Sequence, residues 1–162
     1  MLSKVIGSVR RNHALEHATI SILMGRLGPD TRLIGRATSN GFYIYGNVPT
    51  ADVEASAEQG LDRLQSGEAV LAVSPLCGTN LAVAGVLAGL ASTVTAGNRS
   101  RWERLPSVLL ASMLAVLAAQ PLGRLLQKYV TTSPDLSDTE IVGVRASARR
   151  HGGVYKVETA RR

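Results

Sequence analysis

Two histidines and a glutamate fall within five residues of this chain, in the run Arg11-Asn12-His13-Ala14-Leu15-Glu16-His17-Ala18. On a helix His13 and His17 stand one turn apart, so both imidazoles can address one metal ion, with Glu16 beside them. Metal-assisted hydrolysis by zinc uses these parts: neutral imidazole ligands, an open coordination position, and a carboxylate that takes a proton from water acidified by the metal. The simpler alternative is a structural cluster in which the three groups hydrogen-bond to one another and to nearby backbone. Two observations favour a metal. The triplet falls on an apolar helical stripe, where polar groups are costly unless paired or ligated. Two of the three histidines in the chain also lie in this single turn.

The H-x-x-E-H spacing of His13, Glu16 and His17 resembles the inverted zinc motif of the inverzincins, the pitrilysin and insulysin group. That resemblance, which covers five residues, implies zinc on His13 and His17, Glu16 as general base, and a third ligand from a glutamate on a later helix. Glu54 and Glu58 sit on a later helix, at a shorter spacing than in that group, and Glu58 lies nearer the buried side. Cys77 is a softer alternative that would give a His2Cys set, against its commoner role as a small buried apolar residue. His151 is a further candidate, although beside Gly152-Gly153 it reads as an exposed turn residue.

The elements that must hold these residues follow from periodicity. Residues 3–24 predict one amphipathic helix, with Val9, His13, Glu16/His17, Ile20, Met24 and Leu27 on one face and Gly25, Gly28 and Pro29 ending it. Residues 31–38 and 42–48 predict a hairpin around Ser39-Asn40-Gly41, with Phe42, Ile44, Gly46 and Val48 facing one way. Pro49-Thr50 opens a second helix, with Thr50 as N-cap and Val53, Ala57, Leu61 and Leu64 buried. The apolar run 69–73 reads as a central strand. Residues 140–146 and 154–159 predict two more strands around Arg149-Arg150-His151-Gly152-Gly153. The expected class is an α+β head, α-β-β-α-β plus two C-terminal strands, formed from residues 1–78 and 130–162.

Residues 79–96 and 105–122 hold no charged side chain. Each run is slightly short of the ~20 residues that cross a typical bilayer, and Asn80, Trp102, Gln127 and Tyr129 can extend them into the headgroup layer. Residues 79–128 therefore predict a transmembrane hairpin inserted in the head. The loop between the runs carries Arg99, Arg101, Trp102 and Arg104, an interfacial set. Gly85-Val86-Leu87-Ala88-Gly89 is a GxxxG that lets helix backbones approach closely. Two spans return the chain to its starting side, so the C-terminal strands can complete the sheet begun by residues 31–74. The first 11 residues show no leader, which favours an integral inner- or plasma-membrane protein with a cytoplasmic head.

Eighteen basic against 12 acidic residues give a formal charge of +6. Anionic lipid is the expected partner rather than nucleic acid, because aromatic residues make up only 4% of the chain and none interleave with a basic run. The spans also offer a surface for homo- or hetero-oligomers. A single cysteine excludes an intramolecular disulfide and any CxxC knuckle. In Ser74-Pro75-Leu76-Cys77-Gly78-Thr79-Asn80, Gly78 makes a turn and Thr79 or Asn80 caps the first span, a reading preferred here over a nucleophilic thiol.

The run from Asn12 to Thr19, the Gly41-Phe42-Tyr43-Ile44-Tyr45-Gly46 hairpin and the Cys77-Gly78-Thr79-Asn80 turn before two spans together resemble a bacterial membrane family catalogued as domain of unknown function 6391. The resemblance runs from about Arg10 to the end of the second span. That family often has a His before the proline of the Cys-Gly-Thr-Asn turn, where this chain has Ser74. It implies a membrane protein and no particular activity. Two readings follow: a membrane-anchored zinc hydrolase, peptidase-like, or a non-catalytic assembly subunit whose His/Glu cluster is structural.

Overall fold

The first helix, α1 (Leu2–Leu27), is free of proline and ends at Gly28, whose φ of +96° few other residues adopt. A computed structural model describes residues 2–28, 30–95, 101–149 and 152–162 of the chain. Met1, Pro29, residues 96–100, Arg150 and His151 lie outside the described residues, as do the side chains of Arg101, Ala148 and Arg149. By contact the chain divides into two compact units, Met1–Ser74 with Lys128–Arg162, and Pro75–Gln127.

In the first unit, the hairpin β1 (Ile34–Thr38) and β2 (Gly41–Gly46) turns through Ser39 and Asn40. Gly41 has φ +124°, and a Cβ there would fall 2.0 Å from the Val157 carbonyl oxygen, so this position requires glycine. Helix α2 (Thr50–Gln65) buries Val53, Ser56, Ala57, Gly60, Leu61 and Leu64 at three- and four-residue spacing. Its N-cap is Pro49 and not Thr50, and no side chain caps it. At Gly60 a Cβ would meet Ala18 Cβ at 3.2 Å, so the missing side chain lets α1 and α2 cross closely.

Strands β3 (Thr139–Arg149) and β4 (Gly152–Arg161) join the N-terminal hairpin in one antiparallel sheet of order β1-β2-β4-β3. Phe42 pairs with Val157 and Ile44 with Tyr155, and all four face the core that α1 and α2 cover. The Tyr155 hydroxyl donates to the Val48 carbonyl, closing the end of that layer. The class is α+β, with four strands among the described residues and not five.

Residues 69–73 are not a strand: Ala69–Ala72 form one 3-10 turn. A short apolar run does not by itself distinguish strand from helix. Here the place beside β2 is taken by β4, and Ala72 alone of the turn is buried. The buried face of α1 also differs from the predicted stripe. Asn12, Leu15, Glu16, Thr19, Ile22 and Leu23 are buried, whereas Ile20 and Met24 are half-buried and Leu27 exposed. The middle of α1 is enclosed by α2, the sheet and the 3-10 turn together, so its core spreads beyond one stripe.

The second unit is a pair of helices, α3 (Gly78–Thr95) and α4 (Arg101–Leu126), the latter running into a π-helical turn, Gln127–Thr131, whose last residues belong to the first unit. Both helices are long and apolar enough to cross a membrane, and only 6% of each apolar window is buried. Leu81, Val86, Leu90 and Val94 on α3 and Leu109, Leu110, Met113 and Leu117 on α4 stand exposed. The Ser92 and Ser112 hydroxyls meet at 3.0 Å between the helices. The Gln127 amide donates to Asn80 Oδ1 at 2.9 Å, and Asn80 rests on Gly123, where a Cβ would fall 2.1 Å from that oxygen.

Asn12 fastens α1 to both halves of the sheet, its amide donating to Thr38 O at 2.8 Å and its oxygen accepting from Thr159 Oγ1 at 2.8 Å. Asn12→Ala strands both partners, and the expected cost is about 1–3 kcal/mol of head stability. Denaturant titration of the full chain in detergent measures it. A loss below 0.5 kcal/mol (roughly the ordinary scatter of surface substitutions) would show that the bridge carries no net stability.

Candidate metal centre

Helical spacing on α1 brings the rings of His13 and His17 to 4.4 Å between centroids, tilted by 59°. Each ring is held through Nδ1. His13 Nδ1 lies 3.0 Å from the Thr131 carbonyl oxygen, and His17 Nδ1 lies 2.8 Å from that of Ala72. A carbonyl can only accept, so both Nδ1 atoms carry the proton and donate it. A ring held in this way can ligate a metal only through Nε2. Ligating histidines are ordinarily held by such a second bond from the other ring nitrogen, to a carboxylate or backbone carbonyl.

Glu16 is buried, 6% exposed, with Oε2 3.9 Å from His13 Nε2, beyond hydrogen-bonding distance. Its side chain lies directly against β1 at Gly35, where a Cβ would fall 1.8 Å from Oε1 and 2.4 Å from Cδ. Gly35 thus sets where the carboxylate can be, a role that sequence reasoning missed. The available signal was an isolated glycine inside a strand, which often marks a close approach.

His13 and His17 belong to the first unit, and Cys77, the softer candidate ligand, belongs to the second. Cys77 is buried and in no disulfide, immediately before α3, and the Thr79 N–H points to its sulfur at 3.4 Å. A backbone donor at a helix start favours the thiolate that ligates metals. Two nitrogens and one sulfur suit borderline-soft zinc. Glu58 does not join the group. It is exposed on α2, as is Glu54, because Val53, Ser56, Ala57 and Gly60 hold the buried side. His151 lies outside the described residues.

Several charges on the C-terminal strands are paired locally. Arg161 holds Asp138 at 2.7 Å and Arg162 holds Glu140 at 2.9 Å. Lys156 Nζ donates to Thr38 Oγ1 and Asn40 Oδ1, both at 2.9 Å, and lies 4.4 Å from the Tyr43 ring centroid. Burial lowers its pKa, and the nearby Glu158 opposes that shift.

Comparison with known proteins gives two matches. Residues 8–144 match the family described as Domain of unknown function (DUF6391). An uncharacterised protein of Picosynechococcus sp. is 34% identical over 142 residues, covering 80% of this chain and 68% of its own length. No solved structure matches.

Gly35→Ala forces the Glu16 carboxylate out of its seat, with an expected destabilisation of about 1–3 kcal/mol. In a Glu16→Ala background the same change costs much less, and the difference, read by denaturant titration of all four proteins, is the coupling between the two residues. Equal costs in both backgrounds would mean that Gly35 does not position Glu16.

Proposed function

This chain belongs to the family of domain of unknown function 6391, and we propose that it is a membrane-anchored, zinc-dependent hydrolase acting on amide or ester bonds. The observation that carries this reading is the pair of Nδ1 bonds to the Thr131 and Ala72 carbonyls, which orient two neighbouring imidazoles on one helix. His13, His17 and Cys77 would hold the ion. Three protein ligands and an open fourth position are the ligand count of catalytic rather than structural zinc. Zinc in that place supplies Lewis acidity, polarising a substrate carbonyl and acidifying water.

The protein's own part is proton handling and shape. Glu16, carried one residue before His17 and seated on Gly35, is the general base: its carboxylate accepts a proton and later returns one to the leaving group. The Nδ1 bonds keep both imidazoles in one tautomer and one orientation. Helices α3 and α4 serve as the anchor, since exposed Leu and Val on both of them suit lipid better than water.

Elemental analysis of detergent-purified protein tests the site. About one equivalent of zinc is expected in wild type and none in His13→Ala/His17→Ala. Because protons compete with the metal for the ring nitrogens and the thiolate, affinity should fall steadily as pH is lowered. Glu16→Gln should keep the metal and lose peptide turnover by a hundredfold or more (roughly the contribution of a general base). Wild type that stays metal-free after zinc is added, or full turnover in Glu16→Gln, would overturn the proposal.

A second reading, a non-catalytic assembly subunit, is favoured by one observation. A Cβ at Gly85 or Gly89 would meet no atom within 4 Å, so the GxxxG face is not used up in the packing of α3 on α4. On that reading Gly85→Leu/Gly89→Leu abolishes co-purification of a partner, and unchanged recovery of partners counts against it.

A further inference from the structure

We infer that the head carries a second site, a cup that binds a phosphate group between α1, the β1–β2 turn and the paired strands β3 and β4. Its wall contains Ser8 and Arg11 from α1, Ser39 from the turn, Thr139 from β3, and Thr159 and Arg161 from β4. The cup encloses about 40 Å³. A single water takes up ~10–15 Å³ on that measure, so the space fits a few waters or one tetrahedral oxyanion. Its lining offers hydroxyls, an amide and two guanidinium groups, with no carboxylate among them.

Arg11 is the residue whose state points to a ligand. It is half-buried, and among the described residues its one hydrogen bond is a long one, 3.4 Å from Nη2 to Ser8 Oγ. No carboxylate lies within ion-pairing distance of it among the described residues. A guanidinium that has lost part of its hydration and gained so little in return has donors to give to an anion. Arg161 is held differently. Asp138 takes its Nε and Nη2 at 3.2 and 2.7 Å, which fixes the plane of the guanidinium beside the cup.

The floor is equally fixed. Asn12 is committed to Thr38 and Thr159, so it holds α1 at a set distance from the sheet, and the Ser8 and Ser39 hydroxyls can rotate to donate. Asp135 is a competing anion that feels both Arg11 and Arg161. Its carboxylate is engaged by the Ser137 hydroxyl at 2.8 Å and the Ser137 N–H at 3.3 Å, which hold its pKa below the ordinary range. With Asp135 and Asp138 close by, bare charge is nearly balanced, so recognition rests on the fork of Arg11 and the hydroxyls. Binding of moderate strength that weakens with salt follows.

A phosphate group could come from a free phosphorylated solute or from a lipid headgroup, and the test has an arm for each. Full-length protein in a sugar-based detergent is titrated with inorganic phosphate by calorimetry, and separately with phosphatidic acid in mixed micelles. Saturable binding in at least one arm is expected. Arg11→Ala should weaken it about tenfold or more, the worth of one charge-assisted hydrogen bond. Arg145→Ala, which removes an exposed cation outside the cup, should leave it unchanged, and so should His13→Ala/His17→Ala, which removes the metal ligands. Arg11→Lys keeps the charge without the fork and should lie between wild type and Arg11→Ala, with circular dichroism confirming that each variant is folded. No saturable binding in either arm, or equal losses in Arg11→Ala and Arg145→Ala, would overturn the site.

Discussion

Everything at the metal centre depends on two hydrogen bonds between imidazole and backbone. An imidazole alone chooses freely between two tautomers, and only one of them leaves Nε2 able to ligate. The carbonyls of Ala72 and Thr131 remove that freedom for His17 and His13. They are available because each lies at the end of an irregular turn, one 3-10 and one π. In the middle of a regular helix or a central strand, both oxygens would already be taken by the element's own hydrogen bonds. The two departures from regular structure thus provide the acceptors that the site requires.

The same logic explains why so polar a stretch of α1 can be buried. Asn12, Glu16, His17 and Thr19 are all nearly inaccessible. Left unbonded, each would cost on the order of 1–3 kcal/mol. Asn12 bridges to the sheet, His17 donates to Ala72, and Thr19 returns its hydroxyl to the Leu15 carbonyl at 2.7 Å. Glycine makes the enclosure possible: Gly60 lets α2 close on Ala18, and Gly35 lets β1 close on Glu16. A helix this tightly walled cannot shift to accommodate a misplaced side chain, so the positions of His13 and Glu16 are determined by the packing around them.

Residue types and spacing made part of this legible. The H-x-x-E-H run, the turn at Asn40-Gly41, the buried face of α2 and the two uncharged runs each carry a local signal, and the corresponding elements are present. The apolar run 69–73 was misread because strand and turn share its composition, and tertiary competition for the edge of β2 decided between them. Glu58 directly follows the buried Ala57 in sequence and yet is exposed. One residue on a helix is a rotation of ~100°, enough to put it in solvent. The two carbonyl acceptors leave no trace in the sequence, because a backbone oxygen has no residue type, and Gly35 leaves only that of a glycine inside a strand, whose role depends on what packs over it.

Separation along the chain sets the order in which the centre can form. His13 and His17 come together as soon as α1 forms, since helical spacing alone makes them neighbours. Their tautomers, however, are fixed by partners 118 and 55 residues away. The inserted helical pair, residues 75–127, lies between those two partners in the sequence, three residues after Ala72 and four before Thr131. Contacts of such separation form late, after loop closure has been offset by burial elsewhere. The ligand geometry of His13 is therefore established only when the chain beyond α4 has folded back onto α1, where Arg10 also donates to the Tyr129 and Thr132 carbonyls at 3.0 Å. A local motif supplies the ligand types, and the completed fold fixes which ring nitrogen donates to the backbone.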